Sequence, residues 1–257
     1  MTPGEKYTAF RTILTKEFLR FIRIWIQTVL PPVITTALYF VIFGNLIGSQ
    51  IGDMEGYRYM DYIVPGLIMM AVITNSYANV VSSFYGSKFQ RHIEEMLISP
   101  IPNHLILSGF VAGGVARGLV VGAAVTATAF FFSDVQVHNL FVSITVVILT
   151  SILFAIAGLI NGVFAKSFDD ISIIPTFVLT PLTYLGGIFY TIEMLPEFWQ
   201  GVSLVNPILY MINAFRYGLL GVSDINIYVS YAIILGFIAG LYGFALMLLN
   251  RGVGIRS

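Results

Sequence analysis

The sequence predicts an all-α integral membrane protein, and three observations carry that expectation. Only 10% of its 257 residues are charged, against about 25% in a soluble domain. Its mean hydropathy is +0.88. Six stretches are apolar for about the 20 residues that a helix needs to cross a bilayer: Val29–Ser49, Tyr62–Tyr85, Leu105–Phe132, Leu140–Phe164, Ile171–Tyr190 and Tyr228–Leu249. These runs are continuously apolar and lack two-residue alternation, which favours helices over barrel strands. The expected organisation is a single transmembrane domain over residues 1–257. Zero net charge gives no reason to expect a nucleic-acid partner. Without cysteine there is no disulfide framework and no Cys-based metal site. The three histidines, at 92, 104 and 138, are too scattered for a metal cluster.

Residues 1–27 carry a helical pattern of their own. Phe10, Leu14, Phe18, Phe21 and Trp25 fall on one stripe, with Lys16, Arg20 and Arg23 opposite. A basic amphipathic helix at the cytoplasmic interface, drawn to anionic membrane lipids, accounts for this; a first span that begins early is the other reading. Pro31-Pro32 marks the expected bend into span one.

Lys and Arg set the orientation. Lys6, Arg11, Lys16, Arg20, Arg23, Lys88, Arg91, Lys166, Arg251 and Arg256 fall on one side of the six spans. Only Arg58 and Arg216 fall on the other. This split assigns both termini and residues 86–104 to the cytoplasm.

Between spans two and three, Phe89, Ile93, Met96 and Leu97 line up at helical spacing, with Lys88, Arg91, Glu94 and Glu95 off the stripe. Arg91 and Glu95 are spaced to pair, and Pro100 and Pro102 end the helix. A short stiff helix at Lys88–Ile98 is either a connector resting on the membrane or a docking knob for a soluble partner.

Polar residues inside spans are few and expensive. Asn75 and Asn79 share a face of span two, and Asn161 lies near the inner end of span four. They line a substrate path or bond neighbouring helices. Arg117, the one charge inside a span, lies about 18 Å along its helix. It snorkels, pairs with Asp169 or Asp170, or touches substrate. Gly109/Gly113, Gly114/Gly118/Gly122 and Gly236/Gly240 form small faces suited to packing within the chain or between subunits. After span five, prolines and glycines break residues 191–221 into pieces too short to cross, consistent with two short outer re-entrant helices.

No phosphate-binding G-x-x-x-x-G-K-[ST] loop is present, so ATP cannot be held here in that way. Neither H-E-x-x-H nor G-x-S-x-G occurs. All thirteen carboxylates lie outside the spans or at their edges, which disfavours an ion-coupled secondary transporter. A membrane scaffold without substrate is the remaining alternative.

The order of these elements, together with "LVNPILYMINAFRYG" at Leu204–Gly218, resembles the ABC-2 type permease family. The match to its Asn-Pro…Tyr…Arg signature falls on Asn206, Pro207, Tyr210 and Arg216. The resemblance implies a permease homodimer in the bacterial inner membrane, joined to two copies of a separate ABC ATPase that holds the ATP and Mg. No cofactor is implied on this chain, and no enzymatic activity of its own. It also implies that Lys88–Ile98 is the helix that couples to the ATPase, that the outer segment is a gate, and that a hydrophobic, amphiphilic or glycan-type molecule is exported.

Overall fold

The computed structural model describes residues 1–134 and 137–254, and about 81% of the chain is helical. Arg256, counted above with the cytoplasmic cations, lies outside the described residues. Helix α1 (Pro3–Arg23) starts at a capping box: the Thr2 hydroxyl accepts from the Glu5 amide, and the Glu5 carboxylate accepts from the Thr2 amide at 2.8 Å. It breaks at Ile24, where ψ is 33°, and α2 (Trp25–Tyr39) follows. The bend therefore falls at Ile24 and not at Pro31-Pro32, which lie inside α2. A membrane helix tolerates interior proline because neighbouring groups can re-satisfy the freed carbonyls. A π-helical stretch (Phe40–Ile47) and α3 (Gly48–Ile51) carry the same rod to the opposite end of the molecule.

There a two-residue hairpin, β1 (Asp53–Met54) and β2 (Tyr57–Arg58), turns the chain through Glu55 and Gly56, both at positive φ. Helix α4 (Tyr59–Phe89) returns over 31 residues. A short α5 (His92–Ile98) precedes α6 (Asn103–Ala129), and α7 (Leu140–Phe164) runs back, capped at its start by the Asn139 side chain. Next come α8 (Asp170–Ile174), a π-helical turn (Pro175–Leu179) and α9 (Thr180–Tyr184) in one continuous run. A turn through Gly187 and a 3₁₀ turn (Ile192–Met194) lead into α10 (Glu197–Val205) and α11 (Pro207–Leu220). Helix α12 (Ile227–Arg251) finishes beside the start of α6, where Asn103 donates to Asn250 at 2.8 Å.

Among the described residues, five helices are long and apolar enough to cross a membrane: Trp25–Gly44, Tyr59–Phe89, Asn103–Ala129, Leu140–Phe164 and Ile227–Arg251. The expected span Ile171–Tyr190 is helical only as far as Tyr184. Three five-residue stretches amount to about 22 Å at 1.5 Å per residue, short of the roughly 30 Å hydrocarbon core. Residues 191–221 do hold two short helices, α10 and α11.

Helix α4 is the buried centre of the bundle. One apolar cluster, with Tyr62, Leu67, Val72 and Phe215, fills the middle and the hairpin end. A second, with Phe84, Ile106, Phe110 and Leu159, fills the end that carries the termini. The α6 glycines are intramolecular contacts. Gly114, Gly118 and Gly122 face Val80, Ser76 and Val72 of α4, while Gly109 and Gly113 receive Ile13 and Glu17 of α1. On α7, a methyl added at Gly158 would lie 2.5 Å from the Tyr77 carbonyl oxygen, so backbone meets backbone there. A methyl added at Gly236 or Gly240 on α12 would meet nothing within 4 Å.

Gly158→Ala is therefore expected to force α7 away from α4 at a cost of about 1–3 kcal/mol. Gly236→Ala, inside α12 with room for the methyl, should be neutral or stabilise by up to about 1 kcal/mol. Thermal unfolding of the detergent-solubilised protein separates the two; equal melting temperatures would refute the close approach.

Candidate functional site

The charged segment between the second and third expected spans is not one helix from Lys88 to Ile98. Lys88 and Phe89 form the last turn of α4. Arg91 then adopts a left-handed conformation at φ 62°, held by its amide on the Lys88 carbonyl (2.9 Å) and its carbonyl under the Glu94 amide (3.1 Å). This corner starts α5 in a new direction. It also removes the expected Arg91–Glu95 pair, because Arg91 lies outside the helix; no such pair forms among the described residues.

The stripe divides accordingly. Ile93 is 0% exposed and belongs to the cluster containing Phe84 and Phe110, with Met96 and Leu97 half-buried against it. Phe89 points elsewhere, 65% exposed, with its ring 5.3 Å from that of Phe168. The solvent side of α5 presents His92, Glu95 and Ile98, the last 86% exposed, with Glu94 half-buried. Lys88 is a structural cation. Its Nζ donates to the Val163 and Ala165 carbonyls at 2.6 and 2.7 Å, closing the C-terminus of α7. Just beyond, the Lys166 amide and the Ser167 hydroxyl and amide hold the Asp170 carboxyl below its usual range.

Helix α1 docks one face on the bundle, while Lys6, Arg11, Lys16 and Arg23 stay exposed and only Arg20 is half-buried. Ile13, Glu17 and Phe21 are its buried face, one step round from the expected Phe10–Phe21 stripe. Lys16 Nζ donates to Ser87 Oγ at 3.3 Å, and Arg20 Nη2 donates to Asn79 Oδ1 at 2.8 Å. Glu17, 0% exposed, accepts from Ser83 Oγ at 2.6 Å. Between α1, α5 and α6 lies a cleft of about 750 Å³ walled by Thr8, Ile13, Met96, Ile101 and Phe110.

The embedded polar residues find partners within the chain. Arg117 Nη2 donates to Asn75 Oδ1 at 3.1 Å, so its partner is on α4 and is neither Asp169 nor Asp170. Asn75 in turn donates to the Ala71 carbonyl. Asn161 donates to the Ile171 carbonyl at 3.3 Å. The sequence reading missed Glu17. The available signal was that it is the one acid between Lys6 and Arg23, three residues before Arg20.

The signature residues between Asn206 and Arg216 act as a staple. Asn206 caps α11 through the Ile208 amide (3.0 Å) and donates to the Leu182 carbonyl (2.6 Å), with Pro207 opening the helix. Tyr210 Oη donates to the Leu204 carbonyl at 2.6 Å. Arg216, 1% exposed, donates to the Gly187 carbonyl and lies 4.0 Å over the Tyr62 ring. At the same end, Asp61 accepts from Arg58 (2.8 and 3.2 Å) and from Ser133, while Arg58 also reaches Asp134 at 3.1 Å.

One further surface was not foreseen. A 200 Å³ hollow lies on the outside of the bundle, lined by Tyr39, Met70, Thr74, Thr180, Thr183 and Tyr184. The Tyr39 and Tyr184 hydroxyls are 2.9 Å apart, and Phe189 stacks on Phe43 at 4.7 Å beside them.

Apolar helices packed around one buried helix, with a short helix at the terminal end and a stapled broken segment at the other, define an all-helical integral membrane protein. The family profile described as ABC-2 type transporter matches residues 8–220, and the chain belongs to that family. It is 60% identical over 252 residues, 98% of each chain, to the protein named inner membrane transport permease YadH of Escherichia coli (strain K12). It is 22% identical over 213 residues, 82% of each chain, to nodulation protein J of Rhizobium leguminosarum bv. viciae.

Ile93→Asp is expected to place a carboxylate inside a closed apolar cluster and to cost at least about 3 kcal/mol. Ile98→Asp should cost less than about 0.5 kcal/mol. Circular dichroism melts in detergent test this; an Ile93→Asp protein as stable as the parent would contradict the placement.

Proposed function

We propose that this chain is the membrane-embedded permease subunit of an ATP-binding cassette exporter in a bacterial inner membrane, working as a homodimer driven by two copies of a separate ATPase. The observation that carries this reading is the geometry of α5. It is anchored by Ile93, joined to α4 through the fixed Arg91 corner, and presents Glu95 and Ile98 to solvent. A rod held that firmly at its base transmits a push to the central helix. The coupling surface is then Arg91, His92, Glu95 and Ile98, with the cleft between α1 and α5 as a second contact. The ends carrying the termini and α5 face the cytoplasm. The run from α8 to the Gly187 turn completes a sixth crossing, and α10 and α11 form the outer gate. ATP and Mg are held by the partner.

The pathway is the outward face of α2, α4 and α9, completed by a second copy. Tyr39 and Tyr184 bond each other and Thr74 and Thr180 bond the Met70 and Pro175 carbonyls, so this strip is internally satisfied yet more polar than the span surface around it, which suits a face turned to protein or substrate. Rings and hydroxyls together suit an amphiphilic, hydrophobic or glycan-type substrate.

The test is co-expression with an ATPase encoded beside the gene, followed by co-purification and ATPase assays in liposomes. The double variant Glu95→Lys/Ile98→Asp should fold, yet reduce recovery of the ATPase by about tenfold, the equivalent of 1.4 kcal/mol. Recovery equal to the parent would remove α5 from the interface. Since the chain lacks cysteine, a single cysteine at position 98 reports orientation. An impermeant maleimide should label it only after the membrane is opened, and labelling of intact cells would reverse the topology.

A further inference from the structure

Two guanidinium groups converge on one face of α4. Arg117 from α6 binds Asn75, and Arg20 from α1 binds Asn79 one turn along. Arg20 Nη2 also reaches the Asn79 carbonyl at 2.7 Å, and its Nη1 has only a weak contact of 3.4 Å with Ser82 Oγ. Lys16, on Ser87, adds a third cation along the same helix. The one carboxylate among them is Glu17, whose Oε2 lies 3.5 Å from Arg20 Nε, too long for a good hydrogen bond.

The charges and the hydrogen bonds are unbalanced in the same direction. Two guanidinium groups share one carboxylate, with the exposed Lys16 nearby. Arg20 Nε, Arg117 Nε and Asn79 Nδ2 are buried donors without partners, while Glu17 Oε2 is the one unpartnered acceptor in the group. A buried cation short of a counter-ion is costly. The missing element is an anion rich in acceptors. Access is from one side, where the Arg20 side chain is 30% exposed and Ala78 and Ser82 are half-exposed.

We propose that Arg20, Arg117 and Asn79 form a binding site for a phosphate-type anion, presented by a lipid headgroup or as free phosphate. The guanidinium forks supply paired donors to phosphate oxygens. Glu17 competes for Arg20, so it weakens the site and holds α1 in place while the site is empty.

The experiment is native mass spectrometry of the purified chain in detergent, incubated with phosphatidylglycerol or with phosphatidylcholine of the same acyl chains. The parent should retain phosphatidylglycerol preferentially. Arg20→Gln/Arg117→Gln should lower that retention by about tenfold, as expected for losing charge-assisted bonds. Glu17→Gln should raise it by removing the competitor, a gain that loss of a purely structural contact would not produce. Arg20→Lys keeps the charge without the fork and should fall between, which keeps the test informative if the double variant does not fold. Competition identifies the source. If excess inorganic phosphate displaces the lipid, the site reads phosphate alone; if not, it reads a headgroup with its chains attached. Unchanged retention in a folded Arg variant, or no gain in Glu17→Gln, would overturn the site. The measurement uses this chain alone, so its outcome is separate from whether an ATPase binds.

Discussion

The structure depends on how closely α6 and α7 approach α4. In lipid no hydrophobic force draws one apolar helix to another, so association rests on van der Waals contact and a few polar bonds. Here that contact reaches the backbone itself. Glycines on α6 receive Val72, Ser76 and Val80, and Gly158 of α7 lies against the Tyr77 carbonyl. The result is a trough around a central helix that has little free surface. Every functional element is then positioned relative to this core: α1 in the second glycine groove of α6, α5 off the end of α4, and α11 against the other end.

The main crossings were legible because their apolar runs are uninterrupted. Helix α7 has the expected bounds, and α4, α6 and α12 differ by a few residues at their ends. The failures have local causes. The entry bend was assigned to Pro31-Pro32, but proline within a membrane helix need not break it. Instead Ile24 takes the turn without any residue signal. The α5 helix was drawn too long because periodicity cannot detect a single arginine in a left-handed conformation. Arg117 was matched to distant aspartates when the partner was the amide of Asn75. Neighbours across helices are set by packing, and hydropathy carries no information about them.

The Asn206–Arg216 signature shows how a recognisable motif can be structural. Asn206 fastens two helices and Arg216 fastens the Gly187 turn to the core, so these residues shape the broken segment without facing outward. The hydroxyl-lined hollow near Tyr39 and Tyr184, by contrast, had no motif to mark it. It arises where three separate helices meet.

The lysine at the foot of α4 has a mechanical consequence. Lys88 grips the Val163 and Ala165 carbonyls on either side of the last residue of α7, Arg20 ties α1 to α4, and Asn103 ties α6 to α12. At that end the bundle is laced shut. Asn161 adds α8 to the set through the Ile171 carbonyl, so a load applied at that end would be shared among these helices, and α2, which makes no such side-chain bond to another helix there among the described residues, is the seam left free.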